Sequence, residues 1–151
     1  MNKMIKYGII IIAGIYIIIC LTLFLIQEKL LFFPYKLPQD YQYQFDGLFE
    51  EINLKTKDGT TLHGVHFKVE KPKGVVLFLH GNGGTINDWG QNAGFYTNLG
   101  YNIFYLDYRG YGKSGGKIKS ESQLVTDAQL VYDCLKQQFD ENEIIVSGTS
   151  I

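Results

Sequence analysis

The longest apolar feature of the chain is an almost unbroken run from Gly8 to Ile26, which contains no charged residue. At about 1.5 Å of rise per residue, a helix of this length crosses most of a hydrocarbon core of roughly 30 Å. A signal peptide would have a shorter apolar region, of about 7 to 15 residues, and small residues at its cleavage site. The pattern therefore predicts a transmembrane anchor at 8–28 after a cytoplasmic segment at 1–7.

Positive charges lie on both sides of the predicted anchor. Lys3 and Lys6 precede it, whereas Lys29 and Lys36 follow it. With the amino terminus added, the slight excess before the span places the N-terminus in the cytoplasm and the domain on the outer or periplasmic side. Residues 29–47 are predicted to be a juxtamembrane tether, since prolines interrupt any helix there.

Beyond residue 47 the pattern changes to that of a sheet. Polar and apolar residues alternate over 51–56 and 61–69, and Asp58-Gly59 between them predicts a hairpin with a two-residue turn. Three continuous apolar runs, at 74–79, 101–106 and 143–147, are typical of strands covered on both faces.

Two helices are predicted between these buried strands. The first covers 86–99 and ends at Gly100. The second begins at a capping box, Ser120-Glu121-Ser122-Gln123, and continues to about Phe139. Strands that alternate with helices indicate an α/β domain with right-handed crossovers, here at 48–151.

Composition narrows the function. The sequence has 14 Lys and Arg against 15 Asp and Glu, a net charge of -1, so it lacks the basic face that nucleic-acid binding requires. Cys20 lies in the apolar run and Cys134 in a predicted helix, so the two cysteines indicate no disulfide framework.

Three loops with chemical character each follow a buried strand. They are His80-Gly81-Asn82-Gly83-Gly84, Asp107-Tyr108-Arg109-Gly110-Tyr111-Gly112-Lys113-Ser114 and Gly148-Thr149-Ser150. In these motifs the chain resembles the α/β-hydrolase superfamily, in the N-terminally membrane-anchored branch that is serine-aminopeptidase-like or esterase-like. The resemblance implies an incomplete α/β-hydrolase fold, from the first strands through strand 5, preceded by one transmembrane helix.

The resemblance also implies roles for individual residues. Ser150 would be the nucleophile, and backbone N–H groups of Asn82 and Ile151 would form the oxyanion hole. His80 would have a structural role, bonding to backbone near these donors. Motif support comes from Gly81, Gly83, Gly84 and Gly148, which allow tight turns, and from Asp107 and Arg109, which we expect to form an ion pair. Such chemistry needs no cofactor and no metal.

The sequence ends at Ile151, where the elbow motif would continue with a glycine, and the superfamily places its acid and its histidine after the nucleophile. We therefore expect the N-terminal part of a membrane-anchored serine hydrolase that cleaves an ester, thioester or amide and is inactive as given. The alternatives are a truncated, non-enzymatic membrane protein and a fragment that a downstream fragment complements.

Two other motifs are rejected on spacing. Gly110-x-Gly112-x-x-Gly115 matches a dinucleotide fingerprint, but no helix begins directly after it. His63-x-x-His66 has the appearance of a metal pair, but a spacing of three on a strand directs the two side chains to opposite faces.

Overall fold

The computed structural model describes residues 2–150, which divide into two compact units at Phe32 and Phe33. The first unit is a single helix, α1 (Lys3–Leu31). Its segment Lys3–Gln27 has a mean hydropathy of 3.1 and is long and apolar enough to cross a bilayer. The helix is longer at both ends than the predicted span.

The second unit contains a five-stranded mixed sheet. Its strands are β1 (Leu48–Lys55), β2 (Thr61–Lys68), β3 (Val75–Leu79), β4 (Asn102–Asp107) and β5 (Ile144–Gly148). They lie in the order β1-β2-β4-β3-β5, with β2 antiparallel to both β1 and β4, and β3 parallel to both β4 and β5. The parallel part brings the carboxyl ends of β3, β4 and β5, and thus the three motif loops, to one edge of the sheet.

The predicted hairpin is confirmed, but its turn is longer than two residues. Lys55 pairs with Thr61, and the Thr56 N–H donates to the Thr60 carbonyl at 2.9 Å. Three residues, 57–59, therefore close the loop. The Asp58 carboxylate accepts from the Thr60 N–H, which stabilises this wider turn.

The first predicted helix is broken into three pieces. Helix α2 (Ile86–Trp89) is followed by a 3-10 turn (Gly90–Asn92) and by α3 (Ala93–Asn98). Glycine is a poor interior helix residue, and here the backbone of Gly90 packs directly against the ring of Phe45. The contact lies where the backbone changes from α-helix to the 3-10 turn.

The second predicted helix, α4 (Glu121–Leu135), ends earlier than predicted. The Ser120 hydroxyl caps it by accepting from the Gln123 N–H at 3.2 Å. In a capping box the Gln123 side chain would accept from the Ser120 N–H, but here it accepts from the Lys119 N–H. Half of the predicted capping box is therefore correct.

The main core lies between the sheet and the segment α2–α3. Phe67, Phe78 and Tyr105 form its centre, with ring centroids 5.1 Å apart for the latter two. Ile86 and Ala93 cover them from the helical side. Burying each large apolar side chain contributes roughly 1.5–3 kcal/mol, which makes this layer a rigid support for the loops at the edge of the sheet.

Candidate active site

Ser150 lies in a sharp turn at the carboxyl end of β5. The turn is fixed to the neighbouring strand because the Thr149 N–H donates to the Leu79 carbonyl at 3.1 Å. Ser150 has a φ of 48° and is the one non-glycine residue with positive φ between residues 2 and 150. A left-handed, exposed serine after a parallel strand is the backbone geometry of a nucleophile elbow.

The glycine loop that follows β3, residues 80–84, lies directly against this turn. A Cβ atom at Gly81 would lie 3.1 Å from the Thr149 carbonyl oxygen and 3.5 Å from that of Ser150. Only glycine allows so close an approach of two backbones. His80 and Gly81 are buried, whereas Asn82 is exposed, so the loop rises from the core to the surface beside Ser150.

Four consecutive carbonyl oxygens of this loop accept hydrogen bonds from defined donors. The pairs are Tyr108 Oη to His80 O at 2.9 Å, His80 Nδ1 to Gly81 O at 2.6 Å, Tyr111 Oη to Asn82 O at 2.8 Å and Trp89 Nε1 to Gly83 O at 3.0 Å. Because each peptide is planar and trans, fixing a carbonyl also fixes the N–H on the opposite side of that peptide. The loop is therefore preorganised, as an anion-binding loop must be.

The buried ring of His80 bonds to the backbone of the glycine loop, which is the contact expected of a structural role. Since a carbonyl can only accept, the bond to Gly81 places the proton of the imidazole on Nδ1. Burial lowers the pKa of His80 to about 4, against the opposing effect of that bond, so the ring is neutral near pH 7. Its other nitrogen, Nε2, lies 3.7 Å from Asp107 Oδ1.

Asp107, the last residue of β4, is fully buried behind the loop. Its Oδ1 atom accepts from the Ile86 N–H at 2.9 Å and so holds the start of α2. Burial raises the pKa of Asp107 to about 7, although backbone hydrogen bonds from Ile86 and Lys113 oppose the rise. Gly112 lies against this carboxyl group with a φ of 45°, and any side chain there would collide with it.

The expected ion pair between Asp107 and Arg109 is wrong. Arg109 binds Asp127 through two bonds, of 2.6 and 2.9 Å, and Asp58 through a third, of 2.6 Å. The strand ends at Asp107, so strand alternation no longer places residues 107 and 109 on one face. Arg109 therefore ties the loop after β4 to α4 and to the hairpin turn.

His63 and His66 point to opposite faces of the sheet, as their spacing predicted. His63 stacks on Tyr43 and lies 2.8 Å from Glu51, on the side of the main core. His66 lies on the other face, 3.3 Å from the Asn102 amide. Within residues 2–150 no cluster of His, Cys, Asp and Glu side chains is arranged to hold a metal ion.

The oxyanion donors themselves stay predictions. Ile151 lies outside the described residues, and the assignment of Asn82 rests on the resemblance. The sequence reasoning missed Tyr108, Tyr111 and Trp89, which hold the loop carbonyls. For two of them the sequence does hold a signal, the pair of tyrosines inside the motif at 107–114.

An apolar cavity of about 400 Å³ lies beside Ser150, between the end of β5 and α4. Leu79, Leu124 and Ala128 contribute to its walls. Ile145 and Val146 of β5, the edge strand in the described sheet, are about half exposed, at 46% and 55%.

A model of the serine aminopeptidase S33 family matches residues 70–151, which include all three motif loops. The chain belongs to this family of α/β hydrolases. Among curated proteins, it is 32% identical over 136 residues to protein bem46 of Schizosaccharomyces pombe, covering 82% of this chain and 45% of the relative. It is 30% identical over 155 residues to the α/β-hydrolase domain-containing protein WAV2 of Arabidopsis thaliana, covering 96% and 48%.

Two further similarities support the family. Over 80 residues the chain is 36% identical to the lysophosphatidylserine lipase ABHD12 of Xenopus tropicalis, covering 51% of this chain and 20% of the lipase. Among solved structures, an α/β hydrolase of Vibrio vulnificus matches with a TM-score of 0.56 and 29% identity, covering 65% of this chain and 34% of that one. The chain spans about half the length, or less, of the curated relatives that it matches.

Proposed function

We propose that this chain carries the nucleophile and the oxyanion loop of a membrane-anchored serine hydrolase. The observation that carries the proposal is the left-handed turn at Ser150, which lies in backbone contact with the carbonyl-anchored glycine loop. A hydrolase of this fold needs both parts at one edge of the sheet, with the serine exposed and the loop N–H groups already oriented.

In the proposed reaction the Ser150 hydroxyl attacks the carbonyl carbon of an ester, thioester or amide. The oxygen that becomes negatively charged accepts from backbone N–H groups, for which we propose Asn82 and Ile151. The acyl group is transferred to Ser150 Oγ, the leaving group departs with a proton, and water then releases the acid. Relatives whose names include lipase make an ester the favoured substrate.

The general base is proposed to be a histidine outside these 151 residues. His63, His66 and His80 are each 1% exposed. His63 and His80 contact Glu51 and the Gly81 carbonyl, and His66 lies beside Asn102. In α/β hydrolases the acid and the histidine follow the serine, and the relatives are about twice as long as this chain. We propose that such residues come from later in the same protein or from a complementing chain.

The apolar helix α1 is proposed to anchor the protein in a membrane, with the N-terminus in the cytoplasm. Its length and hydropathy support the anchor, and the lysines near its start support the orientation. The acyl substrate would be a small molecule, a lipid or a peptide, and no nucleic-acid partner is proposed.

The test is ester hydrolysis by the protein purified from its own host membranes in detergent. We expect turnover of p-nitrophenyl esters, and a loss of roughly 10³-fold or more in kcat for Ser150→Ala. Ser122→Ala, at an exposed serine on α4, is the matched control and should be unchanged. Full activity in Ser150→Ala would overturn the proposal, and no turnover in the wild type would favour the non-enzymatic membrane protein.

A further inference from the structure

The segment of residues 33–39, here called the strap, lies along two of the motif loops. The Phe33 N–H donates to the Asn82 carbonyl at 3.1 Å. The Gly112 N–H donates to the Tyr35 carbonyl at 2.8 Å, and the Leu37 N–H donates to the Gly112 carbonyl at 3.0 Å. These bonds form a short parallel bridge between the strap and the loop that follows β4.

Side chains strengthen this attachment at its far end. Gln39 Nε2 donates to the Lys113 carbonyl at 2.8 Å, and the Lys36 ammonium group donates to the Ser114 carbonyl. By contrast, the side chains of Phe33 and Tyr35 are 61% and 63% exposed. The first half of the strap is therefore held by its backbone and not by burial of its aromatic rings.

The Asn82 carbonyl is the point where the strap meets the glycine loop, and it accepts two hydrogen bonds. One comes from the Phe33 N–H and the other from the Tyr111 hydroxyl at 2.8 Å. Tyr111 is 0% exposed and its ring centroid lies 5.2 Å from that of His80, so its hydroxyl has little freedom to move. Two donors on one carbonyl oxygen restrict the rotation of the peptide between Asn82 and Gly83.

We infer that Tyr111 and the strap are positioning elements of the oxyanion loop, acting together on the Asn82 carbonyl. By fixing that carbonyl they fix the direction of the Gly83 N–H. They also limit the rotation of the preceding peptide, between Gly81 and Asn82, which carries the N–H of Asn82. The inference rests on the proposed function, in which this loop binds the developing oxyanion. It assigns a role to the segment that directly follows the apolar helix in the sequence.

Tyr111 does not supply a catalytic hydroxyl, because its hydroxyl donates to the Asn82 carbonyl. A positioning role predicts a lower kcat with little change in KM, because the misdirected N–H groups matter most when charge develops on the substrate oxygen. A purely structural role predicts instead a lower melting temperature with kcat retained in the folded fraction.

The experiment compares Tyr111→Phe with Tyr132→Phe in the purified host protein. Tyr132 is the matched control, because its hydroxyl bonds to Glu141 on the exposed side of α4. We expect kcat to fall about ten- to a hundredfold in Tyr111→Phe, less than the 10²- to 10³-fold for removing an oxyanion donor. KM and the melting temperature should be nearly unchanged, and Tyr132→Phe should match the wild type.

A second pair of variants tests the strap without touching a buried side chain. Phe33→Pro removes the N–H that donates to Asn82, whereas Phe33→Ala keeps it and removes only an exposed ring. The expected result is a loss of kcat in Phe33→Pro alone. Equal kcat values for Tyr111→Phe, Phe33→Pro and the wild type would overturn the inference.

Hydrogen exchange of the peptide covering residues 80–84 separates this inference from the proposed function. It should be faster in Tyr111→Phe and Phe33→Pro than in the wild type and the two controls, whether or not the protein turns over an ester. If the wild type has no Ser150-dependent activity, the proposed function fails, and faster loop exchange still shows that Tyr111 and the strap position the loop. Unchanged loop exchange in both variants contradicts it.

Discussion

The α-carbon of Gly81 lies so close to Thr149 that a Cβ atom there would be 3.1 Å from the Thr149 carbonyl oxygen. This contact joins the glycine loop after β3 to the turn after β5, backbone against backbone. Real Cβ atoms rarely come so near another heavy atom, so the spacing of loop and turn depends on the missing side chain. Ser150 and the N–H groups of the loop thus form one unit.

Gly81→Ala is expected to push the loop and the Ser150 turn apart by a few tenths of an ångström. We predict a loss of about tenfold or more in the rate at which a fluorophosphonate labels Ser150, because displacements of an ångström cost about 10²-fold in rate. Gly94→Ala is the control, since a Cβ at this helical position meets open space. Equal labelling of both variants would show that the contact does not set the geometry.

The buried ion pair of Arg109 and Asp127 is expected to be a main support of the loop after β4. Asp127→Asn should lower the free energy of unfolding by about 3 kcal/mol, since it removes the buried partner of Arg109 and leaves only the exposed Asp58 to compensate the buried charge. Asp58→Asn changes the exposed partner of the same arginine and should cost much less. Thermal unfolding of the two variants at one pH measures how much more stability Asp127→Asn loses than Asp58→Asn. Similar melting temperatures for the two variants would contradict the prediction.

Asp107 predicts a pH dependence of stability with a definite sign. Burial raises its pKa from the usual 3.8 to about 7, so between these values the folded protein holds a proton that the unfolded chain has lost. The contribution of this group to the free energy of unfolding is therefore largest below about pH 4, falls as the pH rises, and is constant above about pH 7.

Asp107→Asn removes that dependence while it keeps the shape of the side chain. The free energy of unfolding of the wild type minus that of the variant should fall by up to about 4 kcal/mol between pH 4 and pH 7. Denaturant titrations followed by the fluorescence of Trp89, the one tryptophan in the sequence, would measure it. A difference that rises with pH would mean that Asp107 is ionised and paired in the folded protein.

The apolar helix makes a separate prediction about the membrane. Arginine at the centre of a transmembrane helix costs about 2.5–3.5 kcal/mol on insertion scales, so Ile17→Arg with Ile18→Arg should weaken insertion strongly. The expected result is release of the double variant by alkaline carbonate, whereas the wild type and Lys3→Arg stay with the membrane. Retention of the double variant would contradict the anchor.

Much of the fold could be predicted from pattern alone. The runs at 74–79, 101–106 and 143–147 became β3, β4 and β5 to within one residue, because continuous apolar sequence is typical of strands. β3 and β4 are covered on both faces as predicted, whereas β5 is the edge strand in the described sheet and is partly exposed, so that part of the prediction is wrong. The break of the first helix at Gly90 could not be predicted. At the break, Gly90 packs against the ring of Phe45, which lies 45 residues earlier in the chain and is brought there by the tertiary fold.

In the site, too, features within one motif could be predicted, whereas contacts between distant segments could not. The left-handed turn at Ser150 and the backbone hydrogen bond of His80 belong to motifs whose residues are adjacent in sequence. Apart from His80, the donors to the loop carbonyls lie on other segments of the chain; they are Phe33, Trp89, Tyr108 and Tyr111. The pairing of Arg109 with Asp127 was missed for that reason too, since nothing local links the loop after β4 to the middle of α4.

The most direct test of the account is to locate a covalent adduct by mass spectrometry. The protein is purified from its host, treated with a fluorophosphonate and digested, and the peptide that carries the phosphonyl group is sequenced. The account predicts a single modified residue, Ser150, and no adduct after Ser150→Ala. Modification of another serine with Ser150 unlabelled, in protein that hydrolyses esters, would contradict it.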